Sequence, residues 1–254
     1  ILNAATMLNQ SKNVYQAEID AACELIDFFN FNSQFAEEIC NNQSLISPTG
    51  IHNCLDYRSL EGFIFAISPF NFTSIAGNLP TAPALMGNVS LWKPASTSVY
   101  SSYFIMKLLQ AACLPDGVIN FLPGSGKKIG NLVLQNQHLA GIHFTGSTEV
   151  GKKIISNSAS SNKKLTMELG GKSPFVVFED SDLDSAVEGI VDAIWFNQGQ
   201  VCCAGSRLLV QESIEKKFLT KLKNRMEKLR VGNPLDKSID IGAIVAPVQL
   251  KKID

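Results

Sequence analysis

Short apolar runs alternate with helical patterns over most of the chain. The runs predicted to be strands are residues 63–67, 89–92, 118–122, 142–144 and 164–168. Apolar residues at helical spacing predict helices at 15–40 and 97–112, a helix that closes over 134–138, and one that begins at 147. Strands that are apolar throughout and alternate with helices are typical of a parallel sheet covered on both faces. The pattern therefore predicts an α/β fold.

A second segment begins near Gly170. It contains predicted strands at 175–178 and 207–210 and an amphipathic helix at 214–229. Asp182 stands in the N-cap position of a further helix. We therefore expect two domains, residues 1–169 and residues 170–254.

Polar residues and glycines follow the predicted strands where each strand ends. They are Asn71, Lys93, Gly124, Gly126, Ser147 and Glu168. In open parallel sheets, ligands bind beyond the carboxyl ends of the strands. The pattern alone therefore predicts a binding site at this edge.

Composition narrows the possible functions. The chain has 254 residues, 45% of them apolar, and a net charge of −1, so no general field favours nucleic acid or anionic lipid. No run of 18 apolar residues predicts a membrane span. Six cysteines without a C-x-x-C pair are typical of reduced, intracellular thiols. The three histidines lack metal-binding spacing, so we expect no metal site.

Three polar side chains are candidates for catalysis. Cys202 lies in a loop of small residues that would leave a thiol accessible, but the loop does not distinguish it from Cys203, and a buried cysteine pair is the alternative. Glu168 could deprotonate a thiol or a water, or it could be a solvated residue at a strand end. Asn71 could donate to an oxyanion, or it could be a turn residue.

Two glycine-containing turns are candidates for binding phosphate. Residues 124–130 read G-x-G-x-x-x-G, which is one residue longer than the dinucleotide-binding pattern. Gly146 and Ser147 begin a helix and would offer free N–H groups to a phosphate, although Ser147 could equally be an ordinary N-cap.

Together these stretches resemble the aldehyde dehydrogenase superfamily, most strongly over residues 60–245. Residues 167–172 are similar to its glutamate signature and residues 199–204 to its cysteine signature, with Glu168 and Cys202 spaced 34 positions apart as in the family. The resemblance implies a Rossmann-like parallel sheet with helices on both faces, in an NAD(P)-binding domain of residues 1–169. It implies that residues 170–254 begin an α/β catalytic domain that carries the nucleophile.

The resemblance also implies roles for the candidate residues. Cys202 would attack an aldehyde, Asn71 and the Cys202 backbone N–H would hold the oxyanion, and Glu168 would activate water. The implied cofactor-binding residues are Ser68, Pro69, Phe70, Lys93, Ser96, Gly126, Gly130, Gly146, Ser147 and Leu169. The implied cofactor is NAD. NADP stays open because Ser96 stands where NAD-strict relatives often carry a glutamate.

Residues 4–147 resemble delta-1-pyrroline-5-carboxylate dehydrogenases, which oxidise L-glutamate γ-semialdehyde to glutamate in proline breakdown. The rest resembles aldehyde dehydrogenases in general, and Cys203 stands where the proline-pathway type usually has serine. A broad-specificity aldehyde dehydrogenase, an inactive cofactor-binding fragment and a redox-sensing Cys202–Cys203 pair are therefore alternatives. Cys113 stands where relatives commonly have a helix-ending glycine, so it would be strained if φ is positive there.

The resemblance further implies family segments before residue 1 and after residue 254, including a second glutamate, a substrate-anchoring loop and an oligomerisation strand. We expect this chain alone to have little dehydrogenase activity and to expose apolar surface. The parent is expected to be a homo-oligomer acting on a small-molecule aldehyde, with no nucleic-acid or membrane partner, in the cytoplasm or the mitochondrial matrix.

Overall fold

A computed structural model describes residues 1–43 and 46–253. These residues divide into two compact units. The first, here called the sheet unit, is Asp20–Glu168. The second, here called the cysteine unit, combines Ile1–Ile19 with Leu169–Asp254. The predicted boundary lay between residues 169 and 170, and the first 19 residues were expected in the first domain. The predicted functional roles of the two domains stay predictions.

Within the described part of the sheet unit, five strands form one parallel sheet. They are β1 (Phe63–Ile67), β2 (Val89–Lys93), β3 (Ile119–Phe121), β4 (Leu139–Thr145) and β5 (Lys164–Glu168). Their order is β3-β2-β1-β4-β5, so the connections reverse direction at β1. Consecutive residues Ile64, Phe65 and Ala66 are all buried, which means that both faces of β1 are covered. The predicted Rossmann-like parallel sheet is confirmed.

Helices flank these strands in the sequence. They are α3 (Leu25–Asn41), α4 (Thr73–Leu85), α5 (Val99–Ala111), α6 (Gly126–Leu134) and α7 (Thr148–Ser158). Helix α4 packs against β1 and β2 and buries Ala76 and Leu79. Burial of such side chains removes apolar surface from water, at about 25 cal/mol per Å². No helix in the described residues is long and apolar enough to cross a bilayer.

The cysteine unit is built around a smaller parallel pair of strands. Its elements are α1 (Leu2–Gln10), α2 (Val14–Ala17), β6 (Pro174–Val177), α8 (Leu183–Trp195), β7 (Arg207–Val210), α9 (Glu215–Met226) and α10 (Pro247–Ile253). Ile190 and Phe218, both 0% exposed, join α8 and α9 in its core. Asp182 accepts a hydrogen bond from Ser185 N at 2.7 Å, so the predicted N-cap of α8 is present.

The sequence pattern missed three local features. The predicted helix at 15–40 is α2 and α3 joined by a π-helical turn, Glu18–Glu24. The helix expected to close over 134–138 ends at Leu134, because the chain turns there and Leu139 N donates to Asn136 O at 3.2 Å. Residues 1–19 were expected in the first domain, but Asn13 Nδ2 donates to Asp240 O at 3.0 Å, within the cysteine unit.

Cys113 follows α5 in a left-handed conformation. Its φ is 64°, and its N–H donates to Gln110 O at 3.0 Å. A Cβ in this region meets the following carbonyl oxygen, which costs about 1–2 kcal/mol for most residues. Cys113 is therefore strained, as expected for a non-glycine residue if φ is positive at this position.

Cys113→Gly is expected to raise the free energy of unfolding by about 1 kcal/mol, because glycine adopts this φ without the Cβ clash. Urea unfolding of the chain measures the change. Gly117 lies in the same connection with φ 84° and open space around a built Cβ. Gly117→Ala is the matched control and should lower stability by about 1 kcal/mol through backbone strain alone. A loss of stability in Cys113→Gly would contradict the strain assignment.

Candidate active site

The segment after β1 is held firmly where it leaves the sheet. Ser68 N donates to Lys93 O at 3.2 Å, and its hydroxyl accepts from Trp92 Nε1 at 2.9 Å. Ser98 Oγ donates to Pro69 O at 3.3 Å. Ser68 and Pro69 are buried, whereas Asn71 is half-buried. The segment therefore presents Asn71 beyond a fixed backbone at the carboxyl end of β1.

Lys93 ends β2 and is only 6% exposed. Its ammonium donates to Pro94 O at 2.7 Å, and burial lowers the pKa of the amine because water no longer stabilises the charged form. A Cβ built on Gly126 would lie 3.7 Å from Lys93 Nζ, and Ser96 Oγ donates to Gly124 O at 3.5 Å. The fold thus brings Lys93 and Ser96 next to residues 124–130, here called the glycine segment.

The glycine segment leads from β3 into α6 and presents bare backbone. Ser125 caps α6 by accepting from Lys128 N at 3.5 Å. A Cβ at Gly130 would meet nothing within 4 Å, while one at Gly126 would take up the space beside the Lys93 ammonium. A side-chain-free surface next to a cation and hydroxyl groups fits a flat, anionic nucleotide.

The turn after β4 differs from expectation in one detail. Gly146 N was predicted to be free, but it donates to Glu168 O at 3.0 Å, because the pairing of β4 with β5 continues one residue past the strand. A Cβ on Gly146 would lie 2.7 Å from the Phe144 ring. Ser147 caps α7 by accepting from Val150 N at 3.4 Å. The N–H of Gly146 is therefore bonded to the β5 backbone and is not free to bind a phosphate, contrary to the prediction from the sequence.

Glu168 ends β5 opposite Thr145, and its side chain is exposed. Its charge raises the pKa of His143, but burial has the larger effect and lowers that pKa overall. His143 Nδ1 lies 3.0 Å from Leu79 O. The side chain of Glu168 is thus open to a partner that reaches the sheet edge.

A strained turn precedes Cys202. Asn197, Gln198 and Gly199 have φ of 50°, 58° and 73°, which is the left-handed region. Hydrogen bonds hold the turn, with Asn197 Nδ2 donating to Gln200 O at 3.2 Å and Gln200 Oε1 accepting from Val245 N at 3.2 Å. Backbone held in this region by many contacts is common at functional sites.

Gly171 packs directly on the backbone of Cys202. A Cβ at Gly171 would lie 2.2 Å from Cys202 O, closer than any side chain allows. Arg207 Nε donates to Lys172 O at 2.7 Å, and Arg207 N donates to Ser173 O at 3.2 Å. The absence of a side chain at Gly171 permits this close approach of the Cys202 backbone.

Cys202 is exposed as a residue, yet its thiol is partly withdrawn from water. Burial raises the pKa of the Cys202 thiol, and the neighbouring Cys203 raises it further. All six cysteines lie among the described residues and are free thiols. The fold by itself therefore disfavours the Cys202 thiolate, so a nucleophilic role needs a base to take the proton.

The predicted site residues fall into two groups. The sheet unit brings together, at the carboxyl ends of its strands, Ser68, Pro69, Phe70, Asn71, Lys93, Ser96, Gly126, Gly130, Gly146, Ser147 and Glu168. The cysteine unit holds Cys202 and, half-buried at its boundary, Leu169. Their catalytic and cofactor-binding roles stay predictions.

Sequence reasoning missed Trp92 and Asp20, which hold the two ends of residues 68–74, here called the Asn71 segment. Trp92 bonds Ser68, and Asp20 accepts from Thr73 N. Trp92 lies in a run that reads only as a buried strand, and Asp20 lies 53 residues from its partner, so neither gives a local signal. Across residues 1–43 and 46–253, no three His, Cys, Asp or Glu side chains are grouped as metal ligands.

The chain belongs to the aldehyde dehydrogenase family, which it matches over residues 1–254. It is 41% identical over 256 residues to a probable delta-1-pyrroline-5-carboxylate dehydrogenase of Schizosaccharomyces pombe, covering 97% of this chain and 46% of the relative. It is 43% identical over 251 residues to the mitochondrial delta-1-pyrroline-5-carboxylate dehydrogenase of Rattus norvegicus, covering 96% of this chain and 44% of the relative.

A crystal structure shows the same similarity. Delta-pyrroline-5-carboxylate dehydrogenase from Mycobacterium tuberculosis, bound with NAD, has a TM-score of 0.95 and 44% sequence identity to this chain. The match covers 99% of this chain and 48% of that structure. The chain thus spans about half the length of the relatives it matches. The similarity to these dehydrogenases extends past residue 147 over nearly the whole chain.

The raised pKa of Cys202 predicts the pH dependence of its reaction with iodoacetamide. Only the thiolate reacts, so the alkylation rate should climb about tenfold per pH unit through neutrality. Cys203→Ser should shift the profile to lower pH, because it removes a neighbouring group that raises the pKa. Mass spectrometry of the Cys202 peptide measures the rate. A rate already constant through neutral pH would show an ionised thiol and contradict this assignment.

Proposed function

We propose that the full-length protein oxidises L-glutamate γ-semialdehyde to glutamate with NAD, through a thioester on Cys202. The observation that carries the proposal is 41–43% identity to delta-1-pyrroline-5-carboxylate dehydrogenases over 96–97% of the chain. The presence of Asn71, Glu168 and Cys202 supports it. Several relatives are named as mitochondrial, so we assign the reaction to the mitochondrial matrix within the same proposal.

The residues around Lys93 would hold NAD. The Lys93 ammonium and the Ser96 hydroxyl would bind ribose hydroxyl groups, while the bare backbone at Gly126 and Gly130 would admit the adenosine. Ser147, at the start of α7, would lie near the pyrophosphate. Binding of NAD by the Mycobacterium tuberculosis relative supports this assignment. NAD, when bound, supplies the acceptor for the hydride of the aldehyde.

Cys202 and Asn71 would carry the first bond-forming step. The Cys202 thiolate attacks the aldehyde carbon to form a thiohemiacetal, and the carbonyl oxygen takes the electron pair. The Asn71 side-chain amide and the Cys202 backbone N–H donate hydrogen bonds to that oxyanion, which lowers the barrier. Because the pKa of Cys202 is raised, a base must first take its proton.

Glu168 is the candidate base for two proton transfers. Its exposed carboxylate would accept the thiol proton before attack. Loss of hydride from the thiohemiacetal leaves a thioester on Cys202. After passing the thiol proton to solvent, Glu168 would take a proton from water as the water oxygen attacks the thioester carbon. That step breaks the C–S bond, releases the carboxylic acid and regenerates the cysteine.

Cys203 favours a second candidate function, a broad-specificity aldehyde dehydrogenase. The residue stands where the resemblance to the proline-pathway type leads us to expect serine. An inactive, cofactor-binding protein is the other alternative. The expected homo-oligomer stays a prediction.

Steady-state turnover of the full-length protein separates these functions. We expect NADH formation to be fastest with L-glutamate γ-semialdehyde among a panel of aliphatic and aromatic aldehydes, and faster with NAD than with NADP. Cys202→Ala should lower kcat by more than about 10³-fold, and Asn71→Ala by about 10²-fold. Cys203→Ser is the matched control, and we expect it to keep the kcat of the wild-type protein.

Each alternative to the proposed function predicts a different result. Similar kcat/KM values across the panel would favour the broad-specificity enzyme. Binding of NAD without turnover of any aldehyde would favour the cofactor-binding protein. Full activity in Cys202→Ala would remove the cysteine mechanism altogether.

A further inference from the structure

Helix α4 begins within the Asn71 segment, at a residue that cannot cap it. The N-cap is Phe72, whose side chain makes no capping hydrogen bond. The first N–H groups of a helix have no partner inside it and need an acceptor from elsewhere. Thr73 and Ser74, which carry two of these groups, are both 0% exposed. An unmet N–H at this depth would cost free energy comparable to a lost hydrogen bond.

Asp20 supplies the missing cap from a distant part of the sequence. Its Oδ2 accepts from Thr73 N at 2.9 Å and its Oδ1 from Ser74 N at 2.8 Å. Asp20 is itself 0% exposed. A carboxylate that accepts two backbone N–H groups at a helix start makes charge-assisted bonds and also interacts favourably with the helix dipole. Both partners belong to the sheet unit.

A second carboxylate strengthens the same contact. Glu24 Oε2 accepts from Ser74 Oγ at 2.7 Å. Asp20 and Glu24 both lie in the π-helical turn Glu18–Glu24, four positions apart. Such turns are rare and often occur at functional sites. The turn therefore directs two carboxylates at the first residues of α4.

These contacts set the position of Asn71. The segment that carries it is fixed at its beginning through Ser68 and Pro69, and at its end through Thr73 and Ser74. Asn71 lies two residues before Thr73, so a shift of the α4 start would move its amide. Hydrogen-bond donors to an oxyanion act only when correctly placed in advance.

We propose that Asp20 is a positioning residue for the oxyanion-binding amide of Asn71. It touches neither substrate nor cofactor and acts through the start of α4. The inference rests on the proposed function, in which Asn71 donates to the oxyanion. It adds a residue from the N-terminal part of the chain to the machinery of aldehyde oxidation.

A double-mutant cycle in the full-length enzyme tests this role. Asp20→Asn keeps the shape but places an NH2 group against one of two N–H donors, so the α4 start should shift. We expect kcat to fall about tenfold while KM for NAD stays within about twofold. In the Asn71→Ala background, Asp20→Asn should change kcat by less than about twofold, because the group it positions is gone.

Two further variants complete the design. Asp27 is exposed in the first turn of α3, so Asp27→Asn removes the same charge nearby and should keep the wild-type kcat. If Asp20→Asn does not fold, Thr73→Pro takes its place. It removes one N–H donor at a first-turn position that accepts proline, after Phe72 with φ −136° and ψ 125°. Its loss of kcat should likewise vanish in Asn71→Ala.

The outcomes separate a failure of the positioning role of Asp20 from a failure of the proposed function. A purely structural Asp20 would lower the melting temperature with unchanged kcat, or lower kcat equally in both backgrounds; either result overturns the inference alone. Wild-type kcat in Asn71→Ala would overturn both the role proposed for Asn71 and the positioning role of Asp20. Loss in each single variant without further loss in the double supports both.

Discussion

Parallel hydrogen bonding of β1 between β2 and β4 is the constraint on which the candidate site depends. Ile67 pairs with Lys93 on one side and with Phe144 on the other, so the three strands end nearly level. The chain segments that leave them must therefore meet at a single edge. Asn71, Lys93 and the turn at Gly146 come together for this reason, although they lie far apart in sequence. Ligand binding at such an edge is a general property of open parallel sheets.

Rigidity at this edge comes from buried polar groups that each have a partner. Trp92 bonds Ser68 at 2.9 Å, and Asp20 bonds the start of α4, both away from water. Groups of this kind contribute little net stability but are costly to leave unsatisfied, so they fix one arrangement. Lys93 shows the opposite balance, since its burial disfavours the charged form of its amine.

The strands and their order of appearance could be predicted because fully buried parallel strands are apolar throughout and end at glycine, proline or polar residues. The cap of α4 could not be predicted, because Phe72 gives no N-cap signal and Asp20 lies 53 residues before Thr73, from whose N–H it accepts a hydrogen bond. The close packing of Gly171 on the Cys202 carbonyl could not be predicted either, because the two residues lie in separate segments and a glycine alone does not identify the group that approaches it. The grouping of residues 1–19 with the cysteine unit involves long-range contacts, such as those of Asn13 with Asp240 and of Gln198 with Ser11, which leave no periodic pattern in the sequence.

In the proposed mechanism, Cys202 forms a thioester with the substrate and Glu168 activates the water that hydrolyses it. Trapping that thioester tests the mechanism most directly. Full-length protein carrying Glu168→Gln would be mixed with NAD and L-glutamate γ-semialdehyde at alkaline pH, where the Cys202 thiol ionises without Glu168, then digested and sequenced by mass spectrometry. The account predicts a glutamyl adduct on Cys202 that requires NAD and accumulates because water is no longer activated. An adduct on Cys203, or rapid steady NADH release with no adduct on Cys202, would contradict it.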